Sequence, residues 1–165
     1  MQNSNSYIDL VDATGMVRKS NIPKHQARDF EGLYAQVVIV VLFDSKNRLL
    51  VHKRLHSKEV NPGDIDFVCG MVENAESPLE AAIRETKEET GLVPENLRLV
   101  HQGLNSYGRY RYLFAGKAAG KPHPQTQHEV AWVRFLTRKE IGTAGSVVDE
   151  FYEDLARVDA WRLLL

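Results

Sequence analysis

Three glutamates crowd one short stretch, Glu85, Glu88 and Glu89, at spacings of i, i+3 and i+4. On a helix such side chains are neighbours. Two like charges ~5.5 Å apart repel by about 3 kcal/mol at an effective dielectric of 20. The stretch also reads as the last two turns of a helix, where the dipole disfavours negative charge by roughly 0.3–1 kcal/mol per residue. Selection for stability alone would place Lys or Arg there. An acidic cluster kept against these costs fits a site for a divalent cation. Magnesium takes oxygen ligands octahedrally and keeps several waters, so a few carboxylates suffice. The alternative is a solvated acidic face relieved by Arg84 and Lys87, since Glu80–Arg84 and Arg84–Glu88 are both i, i+4 pairs.

The element that carries the cluster is well delimited. Ser77 is a natural N-cap, Pro78 suits the first helical position, and Glu80 completes a capping box. Gly91 supplies a left-handed C-cap, so the helix spans 78–90. On a wheel, Leu79, Ala82, Ile83, Thr86 and Thr90 form a stripe that should face the core, with the glutamates on a different face. Around this helix, residues 7–11 and 16–18 read as a hairpin and 19–33 as a polar connection. Strands are expected over 34–43, 48–54, 65–72 (broken at Gly70), 97–103, 107–115 and 129–135. Thr137 can cap a short helix over 138–141, and 147–164 reads as a closing helix. Many strands and few helices in mixed order predict an α+β fold, a curved sheet with helices packed on it.

The chain has 165 residues, which suits one domain, with 21 Lys+Arg against 22 Asp+Glu and a net charge of −1. That balance provides no field for nucleic acid. A single Cys excludes an internal disulfide and fits a reducing compartment. The longest apolar run, Val37 to Phe43, is strand-sized, and the polar N-terminus leads into no apolar signal core. The expectation is a cytoplasmic protein.

From Gly70 the sequence runs Gly, five residues, Glu76, seven residues, then Arg84-Glu85-Thr86-Lys87-Glu88-Glu89-Thr90-Gly91-Leu92. This resembles the G-x5-E-x7-R-E-U-x-E-E-x-G-U motif of the Nudix hydrolase family, where U is a bulky aliphatic residue. Thr86 departs from it at an aliphatic position. The resemblance implies a Nudix-type α/β/α sandwich with a curved mixed sheet. In that reading 1–165 is a single Nudix domain: 1–33 is an N-terminal hairpin extension, 70–92 the loop-helix-loop motif and 147–164 the closing helix. It further implies that Glu85 and Glu89 bind Mg2+ (or Mn2+) most directly, with Glu88 beside them and the Gly70 carbonyl as a further ligand. Glu76 ranks after these, and Arg84 orients the cluster. The implied partner is a small-molecule substrate containing a diphosphate linked to another group. Neither nucleic acid nor membrane is implied, and relatives are often homodimers.

Other residues carry two readings each. Glu85, Glu88 and Glu129 are candidate general bases; Glu129 opens the last strand and is otherwise a strand-edge charge. Strand alternation puts His52 and Arg54 on one face, which either reaches substrate phosphates or is a solvated strand end. Tyr107 and Tyr110 lie near where Nudix enzymes that cleave dinucleoside polyphosphates stack a tyrosine on a base, but the strand is simply Tyr-rich, with Tyr112 as well. Residues 7–70 also resemble the branch containing isopentenyl-diphosphate isomerase, through Asn61-Pro62-Gly63 and Val68-Cys69-Gly70. In the isomerases that Cys is catalytic and a His two residues later binds metal. Met71 takes the His position here, and Cys69 reads as a buried strand thiol. A third reading is a Nudix module that senses a nucleotide without cleaving it.

Overall fold

A computed structural model describes residues 6–57, 60–124 and 130–164. The chain opens with a hairpin, β1 (Tyr7–Val11) and β2 (Val17–Pro23), followed by a 3-10 turn over Lys24–Asp29. Next come β3 (Tyr34–Phe43), β4 (Leu49–Arg54), β5 (Ile65–Asp66), β6 (Val68–Met71) and the helix α1 (Pro78–Thr90). The rest is β7 (Glu95–Leu104), β8 (Tyr110–Lys117), β9 (Val130–Leu136), α2 (Arg138–Ala144) and α3 (Phe151–Arg162). The fold is α+β.

β3 is the spine of a mixed sheet. It runs parallel to β8 and antiparallel to β6 and β1. β4 joins it at one pair and carries β5 and β9 as antiparallel neighbours. The apolar run of β3 is apolar on both faces because both are covered. Val38, Val40 and Leu42 pack with Ala81 and Ala82 of α1. Val41 and Phe43 join Ile141 of α2 and Phe151, Leu155 and Val158 of α3 on the opposite side. The sheet therefore lies between α1 and the α2–α3 pair, the sandwich that the motif implied. Phe67 and Phe151 stack with ring centroids 4.0 Å apart, which pins α3 to the sheet. No helix among the described residues is long and apolar enough to cross a membrane.

The departures from expectation have local causes. The strand over 65–72 breaks at Phe67 rather than Gly70, because Asp66 Oδ1 accepts the Phe67 N–H at 2.8 Å. β8 starts at Tyr110, not Tyr107, since the Asn105 side chain caps a turn by accepting from Tyr107 and Arg109 N–H. The closing helix starts at Phe151, not Val147, because Ser146 and Val148 exchange backbone hydrogen bonds with Ile65.

α1 itself is rolled from the expected face. Its ends are as read, with Ser77 and Glu80 forming both bonds of the capping box and Gly91 at φ 71. Leu79 and Ile83, however, are 45% and 42% exposed. The buried face is Ala81, Ala82, Glu85, Thr86, Glu89 and Thr90. Two of the three glutamates therefore point into the protein. Thr86 fits its aliphatic position because its hydroxyl donates to Ala82 O at 2.7 Å, leaving the methyl for packing.

Candidate active site

The capped ends of α1 fix the azimuth of its glutamates. Glu85 and Glu89, 8% and 4% exposed, sit one turn apart against β6. Gly70 is what admits Glu85: a Cβ there would overlap the Glu85 carboxyl carbon and Oε1. Glu89 Oε2 accepts the Cys69 backbone N–H at 3.2 Å. Glu88 stands beside them with its side chain 44% exposed, 3.5 Å from Arg84.

Arg84 braces the cluster. Its Nε and Nη2 donate to the two oxygens of Glu76 at 2.8 and 2.9 Å, a bidentate pair. Nη2 also donates to Met71 O at 2.9 Å, and Nη1 to Glu85 Oε1 at 2.8 Å. One guanidinium thus ties the 71–76 loop to the helix. The arginine expected to pair with Glu80 and Glu88 instead spends its best geometry on Glu76 and Glu85. Glu76 is engaged by Arg84 and by Glu73 N–H, so its oxygens are committed to the loop.

Burial, with Glu89 next to it, pushes the Glu85 carboxyl up to about 8 against the partial relief of Arg84. Two carboxylates held this close in a dry place lack enough positive charge around them. Hard oxygen donors in that state suit a divalent cation of the magnesium type, so the residues fit the implied ion.

His52 corrects the expectation of a solvated strand end: it is 1% exposed, with Nδ1 3.2 Å from Glu89 Oε2. Burial opposes charge on its ring, but the Glu89 and Asp66 carboxylates prevail and raise its pKa. His52 shares a face of β4 with Leu50, which packs in the core under α1. Arg54 shares that face, with Nη1 3.9 Å from both Asp66 Oδ2 and Cys69 Sγ. Asp66 was missed altogether. It is buried opposite His52 in the β4–β5 ladder, and burial pushes its carboxyl up to about 6 against the pull of His52 and Arg54. Cys69 is half-buried, and burial with nearby Asp66 and Glu89 pushes its thiol well up.

Tyr107 lies on an exposed turn where its hydroxyl meets Asp149 Oδ2 at 3.0 Å, whereas Tyr110 is buried. Glu129 lies outside the described residues.

A NUDIX domain family model matches residues 33–160. An uncharacterized Nudix hydrolase of Streptomyces coelicolor is 32% identical over 175 residues, covering 98% of this chain and 93% of that protein. An isopentenyl-diphosphate Delta-isomerase of Streptomyces griseus is 31% identical over 148 residues, covering 81% and 72%. Among solved structures, DR0079 from Deinococcus radiodurans matches with a TM-score of 0.67 at 20% identity, covering 87% of this chain and 93% of that one. The NUDIX domain of Shewanella oneidensis NrtR, solved in complex with ADP ribose, matches at 0.65 and 16% identity, covering 82% and 92%. Those structural likenesses concern the fold; the family model and the full-length relative concern the chain itself, which belongs to the Nudix family.

Proposed function

We propose that the chain is a divalent-cation-dependent hydrolase of the cytoplasm. It would cleave a phosphoanhydride bond in a nucleoside diphosphate linked to another group, or in a similar organic diphosphate. The observation that carries this is the buried pair Glu85 and Glu89, seated under Gly70 and braced by Arg84. Glu85, Glu89, Glu88 and the Gly70 carbonyl would hold Mg2+, with Mn2+ able to replace it. A bound ion offsets charge on the phosphate oxygens and makes a bound water more acidic. Arg84 keeps Glu85 and the 71–76 loop in register. A carboxylate at the rim accepts the proton of the attacking water. Glu88 suits that role because its side chain is half in solvent; Glu85 and Glu129 are the other candidates. Arg54, on the Glu89 side of the site, would meet a substrate phosphate, and Tyr107 the group beyond it.

The test is a panel of diphosphate compounds with magnesium, read as the two monophosphate products for linked diphosphates and as phosphate or pyrophosphate release for terminal ones, on the parent and on Glu85→Gln and Glu89→Gln. Each substitution should lower turnover at least 100-fold in a folded protein. Unchanged rates in both would remove the assignment.

The isomerase relatives, together with Cys69 beside Glu89, favour one second reading, isopentenyl-diphosphate isomerisation. That reading requires double-bond migration with no phosphate release, and loss of activity in Cys69→Ser. Met71, at the position where the isomerases bind metal through His, weighs against it. Nucleotide binding without turnover, unaffected by Glu89→Gln, would instead mark a sensing module.

A further inference from the structure

Glu89 has neighbours that hydrolysis does not use. His52 from β4, Cys69 from β6 and Glu89 from α1 each offer one donor atom, and the three atoms lie within 4.8 Å of one another. The His52 Nδ1 to Glu89 Oε2 distance of 3.2 Å matches the edge of a tetrahedron with ~2.0 Å bonds, about 3.3 Å. The His52 ring is fully enclosed, and Nδ1 has only the off-line Glu89 Oε2 contact at 3.2 Å, short of hydrogen-bond alignment. A buried polar nitrogen left so is uncommon and costly. Asp66 Oδ2 lies 3.5 Å from Cys69 Sγ, at the edge of this three-residue group.

The donor set decides the ion. Imidazole nitrogen, thiolate sulfur and carboxylate oxygen form a zinc-type set, whereas magnesium takes oxygen. We propose that His52, Cys69 and Glu89 form a binding site for a thiophilic divalent cation of the zinc class, next to the glutamate cluster and sharing Glu89 with it. Binding displaces the Cys69 thiol proton to solvent and involves no oxidation. Because Glu89 is shared, zinc and magnesium compete for one carboxylate. The zinc-type site needs neither Glu85 nor Glu88, so it stands or falls apart from the hydrolase reading.

The experiment uses the full metal-free chain titrated with Co2+ as a spectroscopic stand-in for zinc. A thiolate bound to cobalt gives a near-ultraviolet charge-transfer band, and the single Cys makes its source unambiguous. The band should saturate at one equivalent, vanish on adding Zn2+, and be absent in Cys69→Ser. His52→Gln should weaken cobalt binding at least tenfold, with folding checked by circular dichroism. Glu85→Gln should keep the band while losing hydrolysis, which separates the two sites. No band at stoichiometric cobalt, or a band that His52→Gln leaves at full affinity, would overturn the proposal.

Discussion

A side chain at residue 70 would begin inside the Glu85 carboxyl group. Gly70 cannot retreat, because it is paired with Val38 in the middle of the β3–β6 ladder. Gly70→Ala must therefore displace the Glu85 carboxylate or push α1 off the sheet. Overpacking of this kind costs about 1–3 kcal/mol. The expected outcome is a folded protein with magnesium-dependent turnover lowered at least 100-fold and weaker magnesium binding by calorimetry. Parent-like turnover would mean that Glu85 is not needed where it lies.

Metal-free stability should depend on pH through Glu85. Its carboxyl is pushed up to about 8 in the folded chain from an ordinary value of 4.5. Between those values the folded state holds a proton that the unfolded chain has released, so stability falls as pH rises across the window. Asp66 and Asp154, also raised, add slopes of the same sign. The difference between the parent and Glu85→Gln isolates the Glu85 share. In melts of metal-free protein, Glu85→Gln should equal or exceed the parent at pH 8. A clear drop there would mean that the cluster serves the fold.

Magnesium affinity should show the opposite pH trend. The ion needs Glu85 deprotonated, so apparent affinity rises with pH up to about 8, by at most roughly tenfold per unit. Calorimetry at pH 6 and pH 8 checks this. A flat profile would place the ion away from Glu85.

Arg84 cannot be replaced by lysine without loss. Its fork reaches Glu76 through two nitrogens while also serving Met71 O and Glu85. An ammonium offers one point of charge and cannot span those acceptors. Arg84→Lys should cost about 1–3 kcal/mol in urea melts, as lost charge-assisted hydrogen bonds, and at least tenfold in turnover. Parent-like values on both counts would reduce Arg84 to a surface charge pair.

The helix that carries the site was legible because its signals are local. Ser77, Pro78, Glu80 and Gly91 act within one turn of themselves, and α1 begins and ends where they say. The strand pattern of β3 was legible for the same reason. The azimuth of α1 was not. A wheel assigns apolar residues inward, whereas here Leu79 and Ile83 are outside and Glu85 and Glu89 inside, because β6 presents Gly70 and the Cys69 N–H to them. His52 and Asp66 were hidden for a related reason. Their importance comes from a cross-strand pairing between residues 14 apart, which no local period reports. The glutamate cluster breaks the hydrophobic pattern, and a pattern-based reading fails at the site we propose.

A last prediction concerns a buried charge remote from α1 in the chain. Arg111 on β8 is enclosed, with Nη1 3.0 Å from Glu150 Oε2 and 2.8 Å from Asp154 Oδ1, and so ties the start of α3 to the sheet. Burial pushes the Asp154 carboxyl up to about 7 even with Arg111 beside it. Arg111→Met keeps the bulk and removes the charge, leaving Glu150 without this cation and Asp154 with only Arg157 Nη1, at 3.6 Å. Breaking a buried pair in this way costs about 3–5 kcal/mol. The loss should be smaller at pH 5, where Asp154 takes up a proton, than at pH 8, where it must stay charged or bind a proton against the solvent. Thermal melts at the two pH values read the difference, and an equal loss at both would mean that Arg111 acts through its packing alone.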